Sequence, residues 1–170
     1  MGKEVERKFL IQGDQWRQSV THSEALSQGY LASSPTCLVR VRTGSDCGWV
    51  TIKGATSLTQ TPQGQSLVRA EYEWQISLDQ AQQMLSTLAL TTVSKVRHFL
   101  DCAPGAWTVD EFEGENAPLL LLEIEHEDAA NLRREDLPSW VGEEVSADNR
   151  YSNAALSQHP YSSWAPLTGE

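Results

Sequence analysis

The alternation of charged side chains at the start of the chain is the feature that most constrains the fold. Within residues 3–11, Glu4, Glu6 and Lys8 occupy every second position. Successive side chains of a β-strand point to opposite faces, so a strand here would place these three groups on one face, about 6–7 Å apart. Two carboxylates at that separation repel each other unless a cation lies between them, and a divalent metal ion is such a cation. The segment therefore predicts a strand with a charged face that binds metal.

The same alternation returns in several later segments. Their cations are seven of the 13 in the chain, namely Lys8, Arg40, Arg42, Lys53, Arg69, Lys95 and Arg97. Their carboxylates are Glu4, Glu6, Glu71, Glu73, Asp110, Glu123 and Glu125. The positions between them are mostly apolar, and ordinary barrels place the apolar face inside. From the pattern alone, either face could lie inside.

Turn-forming residues divide the chain into seven or eight strands and a few helices. We predict strands over residues 3–11, 37–43, 47–53, 67–76, 93–101, 106–112 and 119–126, with a loop over 54–66. We predict helices over 14–22, 78–89 and 128–136, and a last short helix capped by Asp148 and running through Leu156. This many strands in a short chain must protect their edges, and closure into a barrel is the simplest solution. We expect one domain over residues 1–170.

Net charge narrows the range of partners. The formal charge is −10, from 23 acidic and 13 basic residues, which argues against nucleic-acid binding and against anionic membranes as partners. The charged amino terminus and the lack of any 18-residue apolar run predict neither a signal peptide nor a membrane span. Three cysteines without metal-ligand spacing favour a reducing, cytoplasmic location. A specific homodimer is compatible with this acidic surface.

The charged face has an ordinary interpretation and a functional one. Opposite charges across strands decorate the solvated face of many sheets, each pair contributing about 0.2–1 kcal/mol. Here, however, like charges repeat within a strand, as in Glu4 with Glu6 and Arg40 with Arg42. Arginine also outnumbers lysine in these strands, and arginine suits bidentate contacts to phosphate. Since no glycine-rich phosphate loop is present, we expect side chains to bind a phosphate chain together with divalent metal ions.

Taken in order, these motifs resemble the CYTH domain of the triphosphate tunnel metalloenzyme superfamily. The resemblance runs nearly end to end, through the motifs Glu4-Val-Glu6-Arg-Lys8, Gln28-Gly-Tyr30-Leu, Val39-Arg-Val-Arg42, Thr51-Ile-Lys53-Gly, Arg69-Ala-Glu71-Tyr-Glu73, Lys95-Val-Arg97, Asp110-Glu-Phe112-Glu-Gly114, Glu123-Ile-Glu125 and Asp148-Asn-Arg150-Tyr151. It implies a mainly β (α+β) fold, an eight-stranded antiparallel closed barrel that forms a tunnel with a charged interior and a few flanking helices. One departure is His98, where close relatives often carry Tyr; we interpret it as a strand residue.

The resemblance also implies a role for each charged residue. Glu4, Glu6, Glu123 and Glu125 would bind Mg²⁺ or Mn²⁺, with Glu71, Glu73 and Asp110 as further candidate metal ligands. The substrate ligands would be Lys8, Arg40, Arg42, Lys53, Arg69, Arg97 and Tyr30. Lys95 would help to activate the attacking water, with Lys8 as a second catalytic candidate.

Three functions agree with these residues. The first is metal-dependent hydrolysis of inorganic triphosphate to diphosphate and phosphate, which the small size of the chain favours. The second is related chemistry on an organic triphosphate: hydrolysis of thiamine triphosphate or a nucleoside triphosphate, or cyclisation of ATP as in class IV adenylate cyclases. The third is a module that binds polyphosphate without cleaving it.

Overall fold

A computed structural model describes residues 2–62, 64–126 and 132–165, except for the side chains of residues 2–4, 61 and 64. The strands are β1 Gly2–Ile11, β2 Val20–Ser33, β3 Cys37–Thr43, β4 Cys47–Gly54, β5 Ser57–Thr61, β6 Gly64–Ser77, β7 Thr91–Leu100, β8 Ala106–Phe112, β9 Leu120–Glu125 and β10 Val141–Glu144. The α-helices are α1 Leu78–Leu88 and α2 Asn153–Gln158. None of the described helices has the length and apolar composition needed to cross a bilayer.

Eight of these strands close into a ring. The antiparallel order is β1-β9-β8-β7-β2-β3-β4-β6, and pairing of β1 with β6 closes it. The short strands β5 and β10 extend β6 and β1 beyond the ring. The predicted closed barrel with flanking helices is therefore confirmed, with ten described strands in place of seven or eight.

Strand β2 is the largest element that sequence patterning missed. The helix predicted over 14–22 is a short 3-10 helix, Gln15–Ser19, after which Val20 begins a 14-residue strand. Its outward positions carry small residues, and α1 packs closely against the one at Gly29. A Cβ atom at Gly29 would lie 2.7 Å from side-chain carbons of both Leu85 and Ala89. The strand therefore lacks the alternating large apolar residues that indicate a half-buried strand.

Other element boundaries also differ from the predictions. The predicted loop over 54–66 contains β5 and the start of β6. Asp148 caps a 3-10 helix, Asn149–Tyr151, and Ser152 caps α2. The predicted helix over 128–136 falls partly outside the described residues, and its described end, Arg134–Asp136, is a 3-10 helix. The helix predicted from Ser77 is confirmed, with both hydrogen bonds of its capping box present.

The main apolar core lies outside the ring rather than within it. Phe9, Leu122, Ile124 and Trp107 occupy outward positions of β1, β9 and β8 and are almost fully buried. The 3-10 helix that carries Trp16 and the segment 132–141 cover them. A second apolar cluster, around Phe112, Leu121, Tyr151 and Leu156, lies beyond the charged positions at one end of the ring. Burial of apolar surface therefore stabilises the barrel from outside and leaves its interior to charged groups.

One charged side chain is buried on the outer face. Arg7 is 1% exposed, and its Nε and Nη2 atoms each donate a 2.8 Å hydrogen bond to the Glu144 carboxylate. Its Nη1 atom donates to the carbonyl oxygen of Leu132, at 2.6 Å. This bidentate pair joins β10 and the segment at 132 to β1.

Candidate active site

A cavity of about 820 Å³ occupies the interior of the ring. Among the residues that line it are twelve predicted from the sequence, namely Glu6, Lys8, Tyr30, Arg40, Arg42, Lys53, Arg69, Glu71, Glu73, Arg97, Glu123 and Glu125. The side chain of Glu4, also predicted, lies outside the described residues. The charged face therefore faces inward.

Strand register sets which of these groups meet. Lys8 of β1 pairs with Glu123 of β9, and Arg40 of β3 pairs with Thr51 of β4. Thr51 in turn pairs with Glu73 of β6. Paired residues on adjacent antiparallel strands present their side chains to the same face of the sheet. The two side chains of each pair therefore lie next to each other on the inward face of the ring. The interior is thus built from cross-strand pairs of opposite or polar character.

One wall of the cavity consists of ion pairs with short distances. This paired wall comprises Lys95 and Arg97 of β7, Asp110 of β8 and Glu123 of β9. Arg97 donates to both oxygens of Asp110, at 2.7 and 2.8 Å, and to Glu123 Oε2 at 2.6 Å. Lys95 Nζ donates to Asp110 Oδ2. Asp110 has no exposed surface, so its carboxylate is fully occupied by the two cations.

The paired wall shifts the pKa values of its own groups. Burial lowers the pKa of Lys95 to about 8, although the neighbouring Asp110 carboxylate opposes this shift. Burial by itself raises the pKa of Asp110, but Arg97 and Lys95 outweigh it and hold that pKa below its usual value. Lys95 can therefore lose its proton near neutral pH while Asp110 stays ionised.

The opposite wall is less completely paired. This open wall comprises Arg40 and Arg42 of β3, Thr51 of β4 and Glu73 of β6. Glu73 Oε2 accepts hydrogen bonds from Thr51 Oγ1 at 2.7 Å and Arg40 Nη2 at 3.2 Å, and lies 3.5 Å from Arg42 Nη2. Among the described residues, the buried Nε atoms of Arg40 and Arg42 have no hydrogen-bond partner. Burial, with Arg40 and Arg97 nearby, lowers the pKa of Arg42 to about 10. Glu73 thus serves two guanidinium groups, and Glu71, which lies 3.9 Å from Arg40 Nη2, also pairs with Lys53; cations therefore outnumber carboxylates here, which favours binding of an additional anion.

Two further ion pairs lie in the cavity, outside the two walls. Lys53 Nζ lies 3.0 Å from Glu71 Oε2, and Arg69 Nη2 lies 3.5 Å from Glu6 Oε1. All four side chains line the cavity. A phosphate chain in the cavity would therefore meet cations from β4 and β6 as well as from both walls.

Carboxylates converge on a single cation between the walls. Lys8 Nζ lies 3.5 Å from Glu6 Oε1 and 3.3 Å from Glu123 Oε1. An ammonium group held between two carboxylates occupies a position that suits a divalent cation, and Mg²⁺ and Mn²⁺ prefer oxygen ligands. In the described arrangement no three Asp, Glu, His or Cys side chains form a closed metal cluster. The donor set fits a hard divalent cation, which would compete with Lys8 for these oxygens.

Lys95 and Asp110 are the two described candidates that do not line the cavity. Lys95 is 1% exposed, and its Nζ atom also donates to Asn153 Oδ1 of α2, at 2.9 Å. Asn153 itself lines the cavity, together with other residues of α2. Sequence reasoning missed this contribution because α2 carries no charged residue and no spacing marks Asn153.

His98 lies on the outer face of β7, away from the cavity. Its Nδ1 atom is 2.7 Å from Ser23 Oγ and its Nε2 atom 2.9 Å from Glu111 Oε2. Its ring also packs edge-on against Trp16. These contacts agree with the interpretation of His98 as a strand residue.

Comparison with known proteins agrees with this geometry. The CYTH domain model matches residues 2–155. An inorganic triphosphatase of Acetivibrio thermocellus is 35% identical over 162 residues, which cover 95% of this chain and 97% of that protein. An inorganic triphosphatase of Nitrosomonas europaea is 33% identical over 157 residues, covering 90% and 95%. A crystal structure of an inorganic triphosphatase superposes with a TM-score of 0.63 at 32% identity, covering 92% of this chain and 95% of that one. The chain belongs to the CYTH domain family.

Proposed function

We propose that the chain hydrolyses inorganic triphosphate to diphosphate and phosphate inside the barrel, with a divalent metal ion. The observation that carries this proposal is the open wall beside a cavity of about 820 Å³, where two buried guanidinium Nε atoms have no partner in the described part of the chain. Relatives named inorganic triphosphatase, which match 90% or more of the chain, support the choice of substrate.

Cations from several strands would bind the triphosphate. Arg40 and Arg42 offer unpaired N–H groups, and arginine binds phosphate oxygens in a fixed, bidentate geometry. The remaining substrate ligands are Lys8, Lys53, Arg69, Arg97 and Tyr30. Preorganised cations of this kind stabilise the charge that is spread over the phosphate oxygens in the transition state.

Carboxylates between the walls would hold Mg²⁺ or Mn²⁺. Glu6 and Glu123, which already share one cation, are the first ligands, and the other candidates are the sequence-predicted Glu4 and Glu125, followed by Glu71 and Glu73. We assign Asp110 a positioning role instead, because Lys95 and Arg97 occupy both of its oxygens. When bound, the cation supplies neutralisation of phosphate charge and orientation of water.

Lys95 would accept the proton of the attacking water. The water oxygen bonds to a terminal phosphorus, the bond from that phosphorus to the bridging oxygen breaks, and diphosphate leaves. Lys95 Nζ lies just behind the cavity surface, next to Asn153 and Arg97, and its lowered pKa suits proton transfer near neutral pH. Lys8 is the second candidate, although its ammonium lies between two carboxylates that favour the charged form.

A panel of substrates tests the proposal. Inorganic triphosphate, thiamine triphosphate and ATP are each incubated with Mg²⁺, with Mn²⁺ or with a chelator, and phosphate and cyclic AMP are measured. We expect phosphate from inorganic triphosphate with either metal and none with the chelator. Faster cleavage of an organic triphosphate, production of cyclic AMP, or tight binding without turnover would each replace the proposal by the corresponding alternative.

Several finer points stay predictions from the sequence. They are the cytoplasmic location, a homodimer, the absence of nucleic-acid and membrane partners, and a single domain over residues 1–170. Inorganic triphosphate is a small anion, so the proposed reaction requires no macromolecular partner.

A further inference from the structure

A buried amide lies behind one of the cavity residues. Gln28 has no exposed surface and is not among the described residues that line the cavity. Its Nε2 atom donates a 2.8 Å hydrogen bond to the hydroxyl oxygen of Tyr30, which does line the cavity. By register Gln28 is paired with Arg42 on β3 and with Val93 on β7, so it occupies a fixed place in the ring.

This hydrogen bond decides what the Tyr30 hydroxyl can do. Among the described residues, that hydroxyl makes no hydrogen bond other than the one it accepts from Gln28. The charged groups that act on it most strongly are Arg40, Lys8 and Arg69, whose side chains carry donors but no acceptors. The hydroxyl proton of Tyr30 therefore lacks an acceptor in the described part of the protein and can be donated to a ligand.

The buried Gln28 side chain is not explained by a contribution to the stability of the fold. Its Oε1 atom is buried and has no hydrogen-bond partner within the residues that the structure describes. A buried unpaired carbonyl oxygen destabilises a fold, and an apolar side chain of the same shape avoids that cost. The amide is therefore better explained by what its N–H group does for Tyr30.

We propose that Gln28 is a positioning residue that directs the Tyr30 hydroxyl proton into the cavity, where it is donated to a phosphate oxygen of the substrate. This inference rests on the proposed triphosphatase function. A neutral donor among cations adds one more directional hydrogen bond to a phosphate oxygen without adding further positive charge to the cavity. Burial raises the pKa of Tyr30, so the proton stays on the hydroxyl under ordinary conditions.

A double-mutant cycle tests the inference. Gln28→Met keeps the length of the side chain and removes the N–H donor, and Tyr30→Phe removes the hydroxyl. For each variant and for the double variant, kcat/KM for inorganic triphosphate with Mg²⁺ is measured together with Tm. We expect Gln28→Met to lower kcat/KM about tenfold when Tyr30 is present and by less than about twofold when it is Phe, with Tm unchanged or raised.

Equal losses in both backgrounds would overturn the inference, because Gln28 would then act independently of Tyr30. A matched control is Ser66→Ala, which also removes a buried polar atom without a partner, at a residue that does not line the cavity. It should leave kcat/KM unchanged in both backgrounds. If Gln28→Met does not fold, Gln28→Glu serves instead. Its carboxylate would accept a hydrogen bond from the Tyr30 hydroxyl and so direct that proton away from the substrate. The same dependence on Tyr30 is therefore expected.

The same measurements separate failure of the inference from failure of the proposed function. Wild-type protein that cleaves inorganic triphosphate without coupling between the two residues overturns only the role of Gln28. If the wild type binds triphosphate without cleaving it, the proposed function fails and the cycle is measured on Kd instead. Wild type that neither binds nor cleaves triphosphate overturns both.

Discussion

The two walls of the cavity contain similar residues in different states of pairing. On the paired wall, Arg97 contacts two carboxylates at 2.6–2.8 Å, Lys95 also donates to Asp110, and Asp110 is completely buried. On the open wall, two guanidinium groups share Glu73 at 3.2 and 3.5 Å, and no described residue provides a partner for their Nε atoms. A charged interior can therefore combine one region that is complete without ligand with another that an anion would complete.

This difference suggests a division of labour. Short, buried ion pairs lose much when one partner is removed, because the other charge is left in a medium that solvates it poorly. Longer pairs with partly exposed members lose little. We therefore expect substitutions on the paired wall to act on folding and substitutions on the open wall to act on substrate binding.

The largest effect is expected between the walls, where carboxylates share Lys8. Glu4→Gln combined with Glu6→Gln should lower kcat by about a thousandfold or more, because the oxygen ligands of the metal lose their charge. The fold should persist, since the change also removes like-charge repulsion. Kinetics with Mn²⁺ and a circular dichroism melt measure the two effects. Glu113→Gln, at an exposed position, is the control. Loss of the folded signal would show that the pair is structural.

On the paired wall, Asp110→Ala should lower the free energy of unfolding by about 3–5 kcal/mol, because it leaves Lys95 and Arg97 without their shared carboxylate. Urea denaturation measures the change. The matched variant on the open wall is Glu73→Ala, whose side chain is 31% exposed and whose loss should cost less than about 1 kcal/mol. Equal costs for the two variants would remove the distinction between the walls.

On the open wall, Arg40→Ala should raise KM for inorganic triphosphate about 10- to 100-fold, since hydrogen bonds to charged groups contribute about 1.5–3 kcal/mol. Its free energy of unfolding should fall by less than that of Asp110→Ala, because removal of Arg40 also relieves its repulsion of Arg42. Steady-state kinetics and urea denaturation provide both values. Arg17→Ala, on the outer surface, should change neither. A large loss of stability with KM unchanged would assign Arg40 to the scaffold.

The pH profile should report Lys95. Its pKa is lowered from 10.5 to about 8, so kcat should rise about tenfold per pH unit below about 8 and level off above it. Between about 8 and 10.5 the unfolded chain retains a proton that the folded chain has released, so Lys95 makes stability rise with pH in that range. A rate that falls as pH rises from 7 to 8 would exclude Lys95 as the proton acceptor.

The smallest effect is expected at Thr51, which links Arg40 to Glu73. Thr51→Val keeps the shape of the side chain and removes both hydrogen bonds, which should lower the free energy of unfolding by about 0.5–1.5 kcal/mol. Ser57→Ala, at an exposed position of β5, should cost less. A loss above about 3 kcal/mol at Thr51 would show that the open wall is as tightly coupled as the paired one.

Much of the fold could be predicted from the sequence because most strands show alternation. The strands β1, β3, β4 and β8 pair a mainly charged or polar inward face with a largely apolar outward face, and β7 shows its inward charges at Lys95 and Arg97. Strand β2 does not, since its outward positions are small where α1 covers them and its inward positions are mixed. Strand β5 is short and polar, and lies outside the ring. The residue pattern of a strand thus depends on which elements pack against its two faces. Those elements come from other parts of the chain, so the pattern of the strand alone does not reveal them.

The candidate site was predicted as a set of residues but not as an arrangement. Alternation and family resemblance identified the inward charges, yet neither could show that Asp110 is occupied by Lys95 and Arg97 while the Nε atoms of Arg40 and Arg42 are not. Those distances depend on the register and shape of strands far apart in sequence. Gln28 belongs to one of the shared family motifs, but neither Gln28 nor Asn153 was given a role, because an uncharged amide does not stand out in a pattern of alternating charges.

The apolar core outside the ring has a consequence for evolution. Residues that hold the barrel together and residues that face the cavity alternate along the same strands, so one set can change while the other stays. Cavity-facing residues of the open wall can vary with little cost to folding, which would let this architecture acquire new anionic substrates. Mutations that weaken the covering segments, in contrast, should abolish activity from a distance by releasing the strands that position the charged groups.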